Sequence, residues 1–101
     1  MLEESKVETV DEITIEYSEN GKVLTRELDK VPLSKGAWAT IAFLYQDMDR
    51  KTEEFGNKKI SIRRYKKSGG SYRMQSRFNI SSLKQATKLV EVLTDWIEKN
   101  E

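Results

Sequence analysis

Between Lys58 and Arg77 the chain carries eight Lys or Arg residues and not one Asp or Glu. Cations at that density suit a polyanion, because each one that meets a phosphate releases a condensed counterion. Tyr65 lies among them, and a ring so placed offers a base a stacking surface worth about 1–3 kcal/mol. If both halves of the segment are strands, alternation puts Lys59, Ser61, Arg63, Tyr65 and Lys67 on one face beside Arg73, Gln75, Arg77 and Asn79. Lys59, Arg63, Lys67, Arg73 and Arg77 are then the candidate phosphate contacts and Tyr65 the stacking candidate, with Lys58, Arg64 and Lys66 nearby. A plain solvated edge also carries Lys and Arg, but cross-strand cations repel, and eight without an acid exceed what solubility asks for.

The elements that must position these residues follow from the same pattern. Lys58–Lys67 and Ser71–Ile80 read as two strands around Ser68-Gly69-Gly70. Ile60 and Ile62 share a face with Tyr72, Met74, Phe78 and Ile80 when paired positions sum to an even number, which asks for an odd-length loop, most simply three residues. Ile60, Ile62, Met74 and Phe78 are thereby expected to turn inward and the cations outward. Ser82 followed by Gln85 fits a helix capping box. Leu83, Ala86, Leu89, Val90, Leu93, Trp96 and Ile97 then form an apolar stripe at helical spacing, which would pack across a sheet face.

Upstream, Glu12 to Tyr17 alternates, and Asn20-Gly21 is a strong type I′ hairpin signal. Lys22–Leu28 should return beside it, pairing Tyr17 with Leu24 and Ile13 with Leu28. Val31 to Gly36 reads as a connection. Ala37–Met48 fits a helix by spacing, but its aromatic content and sheet context favour a strand, apolar on both faces and in need of cover on both. Asp49–Asn57 is a polar turn. Residues 1–11 lack periodicity and are expected to form a flexible acidic arm, leaving 12–101 as one domain. The fold class is α+β: a curved antiparallel sheet of four to five strands followed by one C-terminal helix packed on it.

Charge is unevenly spread. Residues 1–30 hold nine acids against four bases, so the net charge of +1 hides an acidic beginning and the basic segment. The arm could neutralise the basic face or mimic phosphate there. With no His and no Cys, neither a proton shuttle near neutral pH nor a thiolate nucleophile is available, and no enzyme is expected. Asp47, Asp49, Glu53 and Glu54 have the outline of a calcium loop, but Thr52 stands where that loop turns on Gly. No metal, cofactor or small-molecule substrate is expected. The absence of Cys fits a reducing compartment and no apolar run approaches a membrane span, so the expected location is cytoplasmic, without membrane contact. The apolar fraction of 37% is lean, which favours a partner subunit, and the expected assembly is a homodimer.

Ile60-Ser61-Ile62-Arg63-Arg64-Tyr65, the turn at Gly69-Gly70, and Phe78-Asn79-Ile80-Ser81-Ser82 leading into Leu83–Trp96 resemble the Positive Cofactor Four family of single-stranded-DNA-binding transcriptional coactivators. The resemblance covers roughly the last 45 residues. It implies a four-stranded curved sheet and a helix, dimerised so that basic and aromatic strand residues form channels for unpaired strands. Carried over by position, Arg63, Tyr65, Lys67, Arg73 and Arg77 look like its binding surface. The Asn20-Gly21 hairpin and the acidic arm have no family counterpart, and the family's basic lead-in is missing. Whirly and Pur-alpha proteins share the strand-then-helix order. The expected partner is single-stranded DNA, or alternatively RNA. The competing expectation is a module that docks an acidic protein.

Overall fold

The computed structural model describes residues 7–101, and the first six residues of the expected arm lie outside that range. Five strands, β1 (Tyr17–Glu19), β2 (Lys22–Ser34), β3 (Trp38–Asp47), β4 (Lys59–Ser68) and β5 (Ser71–Ile80), run in sequence order as one antiparallel sheet. The sheet is curled, and a single helix, α1 (Leu83–Lys99), follows it. The expected α+β class is what the chain adopts. Ala37–Met48 resolves as a strand, and Ser82 caps α1 by accepting from the Gln85 N–H at 3.1 Å. Gln85 reaches back to the N–H of Ser81 rather than of Ser82. No helix among the described residues is long and apolar enough to cross a membrane.

The first hairpin is shorter than its sequence predicts. Asn20 (φ 52°) and Gly21 (φ 78°) make the expected turn, but a bulge at Tyr17/Ser18 ends the pairing at Tyr17 opposite Thr25. Ile13 and Ile15 therefore leave the sheet instead of pairing with β2. Beyond Thr25, β2 has no strand on its outer side, so Pro32 sits on an edge where its missing N–H is not needed. That is why Val31–Ser34 continues the strand where a connection was expected. Bulges at Leu28 and Leu33 bend this edge.

The face that buries is the reverse of the one the basic segment predicts. Ala39, Ile41, Phe43 and Tyr45 of β3 lie beside Ser61 and Tyr65 of β4, all buried, on what we term the inner face. Their cover is the segment Val7–Glu16, which crosses the sheet and buries Val10, Ile13 and Ile15 against them. Lys30 Nζ fastens it by donating to the carbonyls of Val10, Asp11 and Ile13 at 2.7, 3.1 and 2.6 Å. Glu27 accepts from Thr14 Oγ1 at 2.7 Å and from the Ile15 N–H at 3.3 Å. The described part of the acidic arm is thus packed as the lid of the core.

The outer face remains open. Ala42, Leu44, Ile60 and Ile62 are half-buried there, and Val31, Trp38 and Phe78 are exposed. Helix α1 lies mainly against β4 and β5, and its Leu83, Val90, Leu93, Trp96 and Ile97 are exposed. One layer of sheet gives a body of 55 × 41 × 17 Å with a radius of gyration of 15.9 Å, against about 13 Å for a compact domain of this length.

Candidate nucleic-acid interface

The β4–β5 hairpin positions the basic segment, and its register decides which cation faces where. Gly69 (φ 62°) and Gly70 (φ 82°) form a two-residue turn with Ser68 opposite Ser71, so pairs near the tip sum to an odd number. The three-residue loop expected from the sequence is absent. An extra residue in β5, Gln75, then slips the register between Arg64 and Tyr65, and the pairs Arg63–Arg77, Ile62–Phe78 and Ile60–Ile80 restore the even sum. The slip turns Tyr72 and Met74 to the inner side with Lys67 and Tyr65, and puts Arg73 with Lys66 on the outer side.

The six sequence-nominated residues consequently separate. Tyr65 is only 7% exposed and belongs to the core. Burial pushes its hydroxyl pKa up, while neighbouring Arg63 acts the other way. A ring in that position has no free face for a base. Lys59 is half-buried with Nζ 3.4 Å from Asp47 Oδ2, which compensates its charge. Arg63 is half-buried on the inner side, where its Nε donates to Ser61 Oγ at 3.0 Å. Ser61, fully buried, donates its own hydroxyl to Asn79 Oδ1 at 2.6 Å. Arg77 lies directly opposite Arg63 and is exposed. Both line a groove beside the arm with Asn79, Tyr45, Asp47 and Glu16. Lys67 is exposed, 5.5 Å over the Tyr72 ring, and Arg73 projects from the other face.

That other face carries a cluster whose members the sequence alone does not bring together. Trp38 at the start of β3 pairs with Lys66, and Arg64 is two residues before Lys66 on the same side. The Arg64 guanidinium sits 4.5 Å and the Lys66 ammonium 5.3 Å from the Trp38 ring centre, close enough for cation–π attraction. Arg73 adds a third cation. The signal was present as an even spacing of Trp38, Arg64 and Lys66 once β3 and β4 pair with a fixed register, but no turn chemistry in Asp49–Asn57 announces that register. By its sequence alone Trp38, with Phe43 and Tyr45, reads first as core or dimer interface, with stacking on bases as the lesser alternative.

Among the described residues, only Lys59 of the eight cations in 58–77 lies within 4.0 Å of a carboxylate. No family model matches the chain, and no curated protein or solved structure matches it either.

Proposed function

We propose that this protein is a dimeric, cytoplasmic module that binds single-stranded nucleic acid, DNA in preference to RNA, through the β4–β5 hairpin. The observation that carries this reading is the concentration of cations in that hairpin, seven of the eight having no carboxylate within 4.0 Å among the described residues. A strand surface that only needed solubility would mix signs, whereas a phosphate backbone rewards cations held apart from acids. The resemblance of 60–96 to the Positive Cofactor Four family supports the same reading, with an accessory role in transcription or DNA metabolism.

The reading differs from the sequence expectation in its residues. Arg63, Arg64, Lys66, Lys67, Arg73 and Arg77 are the phosphate contacts; Lys59 and Tyr65 are withdrawn from the set. An acidic protein partner is the weaker reading, because the inner face already holds the acidic segment Val7–Glu16 in cis and Lys30 and Glu27 fasten it.

The dimer belongs to the same proposal. The accessible surface of 7761 Å² exceeds the roughly 5,900 Å² of a compact monomer of this mass by more than about 1,000 Å². That excess matches the area each chain of a stable homodimer gives up, about 1,000–2,500 Å². A second copy, laid on the apolar part of the outer face around Leu44, Ile60 and Phe78 and on the exposed stripe of α1, is the occupant that supplies the missing layer, leaving the Trp38 end of that face open.

Fluorescence anisotropy with labelled oligo-dT over a salt series tests the binding. Four to six phosphate contacts should give a slope of log K on log salt near −3 to −4, at roughly −0.7 per contact. Absence of binding at about 50 mM salt, where such contacts are strongest, overturns the proposal.

A further inference from the structure

We infer that Trp38 is the base-stacking platform of this module, with Arg64, Lys66 and Arg73 guiding the phosphates past it on the outer face of the hairpin. The inference rests on the single-strand reading above and puts the stacked base on the outer side, while Arg63, Lys67 and Arg77 remain phosphate contacts on the inner side. A sequence-tolerant single-strand site needs cations that track the backbone and a ring that takes a base. With Tyr65 buried, the inner face keeps cations but loses its ring.

The exposed aromatics elsewhere lack one or the other requirement. Tyr72 is half-buried, and its hydroxyl donates to the Gly36 carbonyl. Phe55 is half-buried at the opposite end of β3, where it is bridged to Met48, the residue after Asp47. Trp96 and Phe78 belong to the apolar surface assigned to the second copy. Tyr17, though 51% exposed, donates its hydroxyl to Glu19, whereas Trp38, 43% exposed, has the cations of Arg64 and Lys66 against its ring.

Its surroundings are also free of acids along the chain. Residues 31–46 and 58–77, which supply the start of β3, the loop before it and the hairpin, contain no Asp or Glu. The Lys67 N–H donates to the Ala37 carbonyl at 2.7 Å, which fixes the backbone beside Trp38 against the hairpin. The backbone under the ring is therefore fixed, and Arg64 and Lys66 pack against the ring itself, which lowers the freedom lost on the protein side when a base meets it. Arg64, already against the ring, extends the flat surface, because a guanidinium also stacks.

The chain has two tryptophans, so Trp96→Phe leaves Trp38 as the only indole emitter. In that background, oligo-dT should quench the emission as it binds. An abasic deoxyribose-phosphate oligomer of equal length should bind more weakly and leave the emission unchanged. Trp38→Ala should weaken oligo-dT binding about 5- to 100-fold while leaving the abasic oligomer's affinity and the salt slope at the parent values. Trp38→Phe should restore most of the loss. Arg73→Glu should weaken both oligomers. Oligo-dT binding seen by anisotropy with unchanged Trp38 emission overturns this inference and leaves the single-strand reading standing. If neither oligomer binds, both fall. The emission test leaves position 38 unaltered, so it decides the matter even if Trp38→Ala does not fold.

Discussion

The ammonium of Lys30 lies 2.6 Å from the carbonyl oxygen of Ile13, joining the second strand to the segment that roofs the core. The same nitrogen also serves Val10 and Asp11, so one side chain satisfies three carbonyls of a stretch that has no strand partner. Lys30→Met keeps the apolar stem and removes the donors. Hydrogen bonds to a charged group contribute about 1.5–3 kcal/mol, and the expected loss is about 2–3 kcal/mol of unfolding free energy in urea. A change within error would show that the buried Ile13 and Ile15 hold the lid unaided.

Glu12 makes the lid sensitive to acid. Its carboxylate accepts from the hydroxyl and N–H of Thr9 and from the N–H of Glu8, which with the charge of Lys67 lowers its pKa below the ordinary glutamate value. A lowered folded-state pKa means the contribution is complete above the unfolded value and is lost as pH falls through the folded one. Amide protection at Tyr72, whose N–H donates to the Val7 carbonyl, should fall in that acidic window. Glu12→Gln should show reduced protection already at neutral pH, with little further dependence on acid.

Ser61 links core to groove. Its buried hydroxyl donates to Asn79 and accepts from Arg63, so Ser61→Ala strands both partners. The expected cost is about 1–3 kcal/mol in chemical denaturation. Oligo-dT affinity should fall modestly as Arg63 loses its anchor. Ser61→Thr should not rescue it, because the added methyl has no space at a position with no exposed surface.

Assembly is testable apart from binding. Light scattering at micromolar concentration should report twice the chain mass of 11.8 kDa. Leu93→Asp with Trp96→Asp, both on the exposed stripe of α1, should give monomers. Because association stabilises the folded chain by mass action, the thermal midpoint of the parent should rise with protein concentration. A parent that is monomeric at that concentration would contradict the dimer.

The strands, their order and the closing helix were legible because each rests on local signals: alternation, Asn20-Gly21, Gly69-Gly70 and the Ser82 cap. Pairing parity around Ile60, Ile62, Phe78 and Ile80 was legible too. Which face became the interior was not. A strand face reading Lys59, Ser61, Arg63, Tyr65, Lys67 looks solvated by composition, and only the lid makes Ser61 and Tyr65 core. The lid itself has no periodicity, since Val10, Ile13 and Ile15 follow a 3-10 turn at Val10–Glu12 and then extended chain. It is held by Lys30 and Glu27 from a strand reached only after a hairpin. Of the six nominated site residues, Arg63, Lys67, Arg73 and Arg77 remain in the proposed interface. Trp38, Arg64 and Lys66 entered through the β3–β4 register, a long-range property that no short window of sequence contains.

The bulge at Gln75 joins two registers of the hairpin. Because one uncompensated residue separates the even-sum pairs from the odd-sum tip, Arg73 and Arg77 point to opposite sides although four positions apart in one strand. Removal of Gln75 would join Met74 to Ser76 opposite Tyr65 and Arg64, the partners they already have, so every side chain toward the tip would keep its side and only the local bend would be lost. The two-residue turn and the β3–β4 register, rather than the length of β5, therefore decide which side of the sheet a polyanion meets at the tip.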